Sequence, residues 1–129
     1  MRVTVFDVET TEEGYKGSPN PYYPENKLIS LGINKEYLFF WHPDLEDIDL
    51  KKNKKIVQDI LDKTDILVGH NIKFDLSWIY SCGFKYDGKI YDTMIAEYVL
   101  HRGAKTKISL AECCLRRGLV RKATLYLFL

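Results

Sequence analysis

The chain has 129 residues, a formal net charge of +1, 46% hydrophobic and 29% charged residues. That length fits one compact domain with its own core, and so hydrophobic a chain with so little net charge is not a disordered one. No apolar run approaches the roughly 20 residues of a membrane-spanning helix, and Asp7 interrupts any signal-peptide core. Cys82, Cys113 and Cys114 form no metal-binding or disulfide framework. A reducing, cytoplasmic setting, in a cell or an infected host cell, is expected.

Residues 2–7 alternate around Val3 and Val5 and predict a first strand. A loop follows from Thr10 to Lys27, marked by Gly14, Gly17, Pro19, Pro21 and Pro24. Leu28–Ile33 and Tyr37–Trp41 predict two strands joined by a short hairpin turn at 34–36. Ile56, Val57, Ile60 and Leu61 share one face of a helix over 53–63. The apolar run 66–69 reads as a buried strand, and 74–82 returns to a helical period closed by Gly83. A short strand at 89–91 precedes helices over 93–100, capped by Asp92, and over 109–117, capped by Ser109 and stopped by Gly118. The order β-β-β-α-β-α-β-α-α argues a mixed sheet flanked by helices.

Three groups of residues carry possible chemistry. Asp7 and Glu9, two apart, project from one face of the first strand, roughly 7 Å apart along it. They are expected at the strand's end, where an open α/β sheet places its ligands. Two like charges there are costly unless a cation compensates them; solvated strand-end acids are the alternative. Gly69-His70-Asn71-Ile72-Lys73-Phe74-Asp75 lies where a buried strand hands over to a helix. Asn71 or a neighbour could simply cap that helix, and its positive end favours Asp75. Asp92, before Thr93-Met94, is explained equally well as an N-cap.

Taken in order, Asp-Val-Glu-Thr, then Gly-His-Asn-x-x-Phe-Asp, then Asp-Thr-Met-Ile-Ala-Glu-Tyr-Val-Leu resemble the DEDD (DnaQ-like) 3′–5′ exonuclease superfamily. The resemblance runs from about Val3 to about Arg117. It is closest to the proofreading domain of family A (polymerase I-like) DNA polymerases, to whose "DTM…L…LSLAEL" stretch Asp92–Leu100 and Ile108-Ser109-Leu110-Ala111-Glu112 are similar. It implies a ribonuclease H-like α/β fold, with the first three strands antiparallel and the rest parallel. It also implies two Mg²⁺ or Mn²⁺ ions clamping the 3′-terminal phosphodiester of single-stranded DNA. Asp7 matches the acid bridging both ions, Glu9 the acid on the nucleophile side that meets the 3′-hydroxyl, and Asp75 the acid on the second ion. Thr10, Asn71 and Phe74 match substrate-lining positions, and Asp92 one that stands behind the ligands. The partners implied are a single-stranded 3′ end, DNA or RNA, and a DNA polymerase domain or subunit; no membrane is implied.

The superfamily carries a fourth acid in a Tyr-x-x-x-Asp or His-x-x-x-x-Asp motif. After Asp92 the sequence offers only Glu97 and Glu112, neither in such a motif, and Tyr126 is followed by Leu127-Phe128-Leu129. The expectation is a single domain over 1–129, C-terminally truncated relative to the family, with 119–129 an atypical apolar tail and little or no activity of its own. Losing a group that positions or deprotonates water costs about 10²–10⁴-fold. A non-catalytic remnant that binds nucleic acid or a polymerase subunit, and an exoribonuclease of the same fold, are the other readings.

Further residues have ordinary readings beside functional ones. His70, His42 and His101 carry no ligand pattern. Tyr15, Tyr22 and Tyr23 either pack in their loop or stack on unpaired bases. Lys51, Lys52, Lys54 and Lys55 read as a solvated helix start. Residues 101–129 contain one acid, Glu112, against a basic set that includes Arg116, Arg117, Arg121 and Lys122; these four suit backbone phosphates or keep an apolar tail soluble.

Overall fold

A computed structural model describes residues 1–119. It contains two compact units, Met1–Tyr91 and the part that begins at Asp92. The expected tail, Leu119 excepted, lies outside the described residues, as do Arg121 and Lys122.

The first unit is built on a sheet of order β3-β2-β1-β4-β5. Its strands are β1 (Val3–Thr10), β2 (Leu28–Ile33), β3 (Glu36–Phe39), β4 (Ile66–Gly69) and β5 (Lys89–Asp92). β1 pairs with β2, and β2 with β3, in antiparallel fashion. β1 runs parallel to β4. This mixed sheet, with helices α1 (Asp47–Asp62), α2 (Ile72–Ser81), α3 (Thr93–Leu100) and α4 (Leu110–Arg116), bears out the expected ribonuclease H-like α/β class and its element order.

β1 departs from expectation in two ways that matter for the site. It is longer, running to Thr10 rather than stopping at Asp7, because Glu9 and Thr10 still pair with Ser30 and Leu28. Its inward face carries Thr4, Phe6 and Val8, while Val3 and Val5 are about half exposed, at 48% and 50%. Thr4 is accommodated in the core because its hydroxyl meets that of Thr64 at 2.7 Å, which satisfies both buried polar groups. Asp7 and Glu9 therefore share the less buried face with Val3 and Val5, within the last four residues of the strand. The register slips between Glu9 and Thr10, a bulge directly after the second acid; such bulges re-aim the chain.

The hairpin turn is tighter than expected, with Asn34 at φ 53° and its side chain accepting from the Val5 N–H at 3.0 Å. α1 starts earlier than 53, at Asp47. Asp47 and Asp49 fall in its first turn, where the helix dipole favours them, and no apolar periodicity marks that exposed half. The four lysines lie inside α1, not at its start, and Lys55 pairs with Asp59 at 3.0 Å. Its buried residues, Val57 and Leu61, join Phe6, Leu31, Leu67 and Ile79 in the core. Gly83, just past the end of α2, takes φ +89° while Phe84 N–H reaches back to the Ile79 carbonyl at 3.1 Å, a helix-terminating geometry that glycine adopts without strain.

In the second unit, Asp92 accepts from Met94 N–H at 2.8 Å and caps α3. Ser109 accepts from Glu112 N–H at 3.3 Å and caps α4. Gly118, at φ +68°, ends α4 as expected. Glu97, on α3, is buried and faces Arg116 at 3.2 Å, Arg117, and His101 at 3.3 Å. Burial alone would raise its pKa, but the hydrogen bonds and charges of Arg117 and Arg116 outweigh it and hold the carboxyl below the ordinary value.

Candidate active site

β4 pairs with β1 only as far as Val5, so the Asp7–Thr10 segment runs past the carboxyl end of the parallel pair. In open α/β sheets this is the side that receives ligands. The turn that leaves β4 leads straight into α2. Gly69 fits closely there: a side-chain carbon would sit 3.1 Å from Ile72 Cγ1, so Ile72 would have to give by a few tenths of an ångström.

Asp75 sits in the first turn of α2 and is almost wholly buried, at 3%. Its Oδ1 accepts the backbone N–H of Val8 at 2.9 Å. Val8 lies between Asp7 and Glu9, so a residue 67 positions away is fastened to the strand between the two acids. The structure thus brings the three expected acids to one segment of β1.

The other expected residues are placed as follows. Thr10 is half-buried just past the bulge. Asn71 precedes α2 in the left-handed region, φ 59° and ψ 52°, and makes no side-chain capping bond; the simple N-cap reading does not hold for it, and its side chain is exposed. A non-glycine residue there carries a modest backbone cost. Phe74 packs partly against the core. His70 is half-buried. Asp92, within its own unit, is the cap of α3 described above, so the capping reading is borne out for it.

All three acids offer hard oxygen donors, the kind Mg²⁺ and Mn²⁺ take. The donor chemistry fits such an ion. Among the described residues, however, no three His, Cys, Asp or Glu side chains are drawn together closely enough to form a cage.

A family model for the polymerase A type of exonuclease domain, described as 3′–5′ exonuclease, matches residues 6–117. The chain belongs to this 3′–5′ exonuclease family. No curated protein matches the chain. The matched span contains all seven expected site residues, from Asp7 to Asp92. Membership implies a nucleic-acid substrate, and family members typically use divalent metals. No helix among the described residues is long and apolar enough to cross a membrane.

Three features of this exonuclease-family chain escaped the sequence. The amide of Val8 has no residue-type signature, because any residue would supply it. Trp78, one turn after Asp75, has the spacing of a core residue, yet its Nε1 donates to the Pro19 carbonyl at 2.9 Å. Glu97 looked like part of a helix motif; only the fold turns Arg116 and Arg117 toward it.

Proposed function

We propose that this domain removes nucleotides from the 3′ end of single-stranded DNA, in the manner of a proofreading exonuclease attached to or associated with a DNA polymerase. The observation that carries the reading is the family match over a span in which Asp75 is hydrogen-bonded to the strand between Asp7 and Glu9. Asp7, Glu9 and Asp75 would hold Mg²⁺ or Mn²⁺. Bound there, the ions would supply Lewis acidity toward the scissile phosphate and the attacking water.

The chain's own residues do the positioning. The Val8 N–H fixes the orientation of the Asp75 carboxyl, so that one acid from α2 and two from β1 act from defined directions. Thr10, next to Glu9, Asn71, just before α2, and Phe74, on the same turn of helix as Asp75, would line the terminal nucleotide. Asp92 would act within its own unit, by fixing the start of α3.

Residues 1–129 contain no Tyr-x-x-x-Asp or His-x-x-x-x-Asp after Asp92, which favours weak hydrolysis by this chain and keeps a second reading in view, strand binding without turnover. A single strand labelled at its 3′ end, incubated with Mn²⁺, tests both. Slow release of labelled mononucleotides that Asp7→Ala abolishes supports the first. Internal cuts, or release indifferent to Asp7→Ala, contradicts it. The same assay on an RNA strand separates a deoxyribonuclease from an exoribonuclease.

A further inference from the structure

The loop between β1 and β2 is a built object. At its base the Thr11 N–H donates to the Lys27 carbonyl at 3.0 Å, and the Lys27 N–H donates to Thr11 Oγ1 at 2.7 Å. Inside it, Asn26 is buried and ties together three points of the loop. Its Oδ1 accepts from the Glu13 N–H at 2.7 Å, and its Nδ2 donates to the carbonyls of Ser18 at 2.7 Å and Asn20 at 2.8 Å. Trp78 clamps the same loop from α2 through Pro19. One helix therefore fixes both the acid segment, through Asp75, and this loop, through Trp78, a single turn apart.

The three loop tyrosines divide on this frame. Tyr23 packs inward, lying so close over Gly14 that a side-chain carbon there would fall 2.6 Å from its ring. Tyr15 and Tyr22 stay outside, 71% and 79% exposed. Lys16 stands 5.4 Å from the centre of the Tyr15 ring. Tyr22 is held by its N–H, which donates to Asn20 Oδ1 at 2.9 Å. Packing of the loop explains Tyr23 and leaves the other two unexplained.

We infer that the Thr11–Lys27 loop is a preformed shelf for the unpaired substrate strand, on which Tyr15 and Tyr22 stack against bases. This rests on the nucleic-acid reading above and extends it to where the strand lies. Aromatic faces take any base, and a basic neighbour such as Lys16 suits the phosphates between them. A backbone already ordered by Asn26 and Trp78 spends little entropy on binding. Asn26 and Trp78 are positioning residues; Tyr15 and Tyr22 make the contact.

The test is binding of a short fluorescent oligothymidylate by the full chain at low salt in EDTA, where stacking is read without hydrolysis. The paired variant Tyr15→Ala/Tyr22→Ala should bind at least about tenfold more weakly, while Tyr15→Phe/Tyr22→Phe should bind like the parent, because the ring is kept. Both positions are exposed, so folding is not at stake. Asn26→Ala, which leaves the tyrosines in place and frees their loop, should also weaken binding. Blunt duplex, with no unpaired base, should bind more weakly than the single strand. Equal binding by the parent and the paired alanine variant, or phenylalanine as weak as alanine, overturns the shelf alone. A parent that binds no oligonucleotide overturns the shelf and the nucleic-acid reading together. Tyrosine-dependent binding with no Mn²⁺-dependent release from the 3′ end upholds the shelf and removes the exonuclease reading.

Discussion

Val8 and Asp75, 67 residues apart, meet through a 2.9 Å hydrogen bond from the strand amide to the buried carboxyl. This contact joins the first and second acidic motifs, and it separates two duties of one side chain. Asp75→Asn keeps an oxygen for the Val8 N–H but loses the charge, so urea stability should stay near that of the parent while Mn²⁺ affinity falls by about 100-fold, on the scale of disrupted metal sites. Asp75→Ala leaves the buried N–H without its acceptor and should cost a further ~1–3 kcal/mol of stability. Matched urea melts and Mn²⁺ titrations of the two variants check this; equal stability for both would show that the bond does not hold the strand.

Much of this arrangement was legible beforehand, for reasons that differ by residue. Asp7 and Glu9 were placed on one face because side-chain alternation in a strand has period two. Asp92 and Ser109 were readable as caps because capping is local chemistry. The length of β1 was not readable, since its last residues are held by pairing with Ser30 and Leu28 and not by their own propensity. The first half of α1 was missed because a polar, exposed stretch has no apolar stripe to read. Asn71 looked like a cap by residue type, but its left-handed backbone is set by the passage from β4 into α2. The Glu97 cluster depends on the folding of α4 back toward α3, which no local signal announces.

Asp92 should act chiefly through the cap. Asp92→Ala removes the acceptor for Met94 N–H and should lower stability by about 1 kcal/mol, whereas Asp92→Asn or Asp92→Ser should retain most of it. Urea midpoints for the three variants give the answer, and a full loss in Asp92→Asn would point to a need for charge rather than for capping.

Glu97 gives the fold a pH dependence of defined sign. Its carboxyl is held below the ordinary value of 4.5 by Arg117 and Arg116, against the effect of burial. A carboxyl with a depressed folded-state pKa contributes stability that is present above the unfolded value and lost as pH falls through the folded one. The parent should therefore weaken as pH drops below about 4.5, and Glu97→Gln should show a flatter stability profile in that range while being less stable at neutral pH. Thermal melts between acid and neutral pH measure it; parallel profiles would mean that the ion pairs contribute nothing.

Trp78→Phe should loosen the β1–β2 loop without emptying the core. A phenyl ring still fills part of the indole's space, but the indole N–H and its bond to the Pro19 carbonyl are lost, a change of about 1 kcal/mol for that bond. Limited proteolysis should then cut within residues 11–27 sooner than in the parent, with little change in the global melt. Unchanged cleavage would show that the Trp78 bond does not hold the loop.

The central claim is that Asp7, Glu9 and Asp75 form one divalent-metal site on the carboxyl side of β1. Mn²⁺ titration followed by electron paramagnetic resonance tests it most directly, comparing the parent with Asp7→Ala, Glu9→Ala and Asp75→Asn. Bound Mn²⁺ in the parent and a large loss of affinity in each variant is the predicted result. Mn²⁺ binding that is absent from the parent, or unchanged in all three variants, would contradict it.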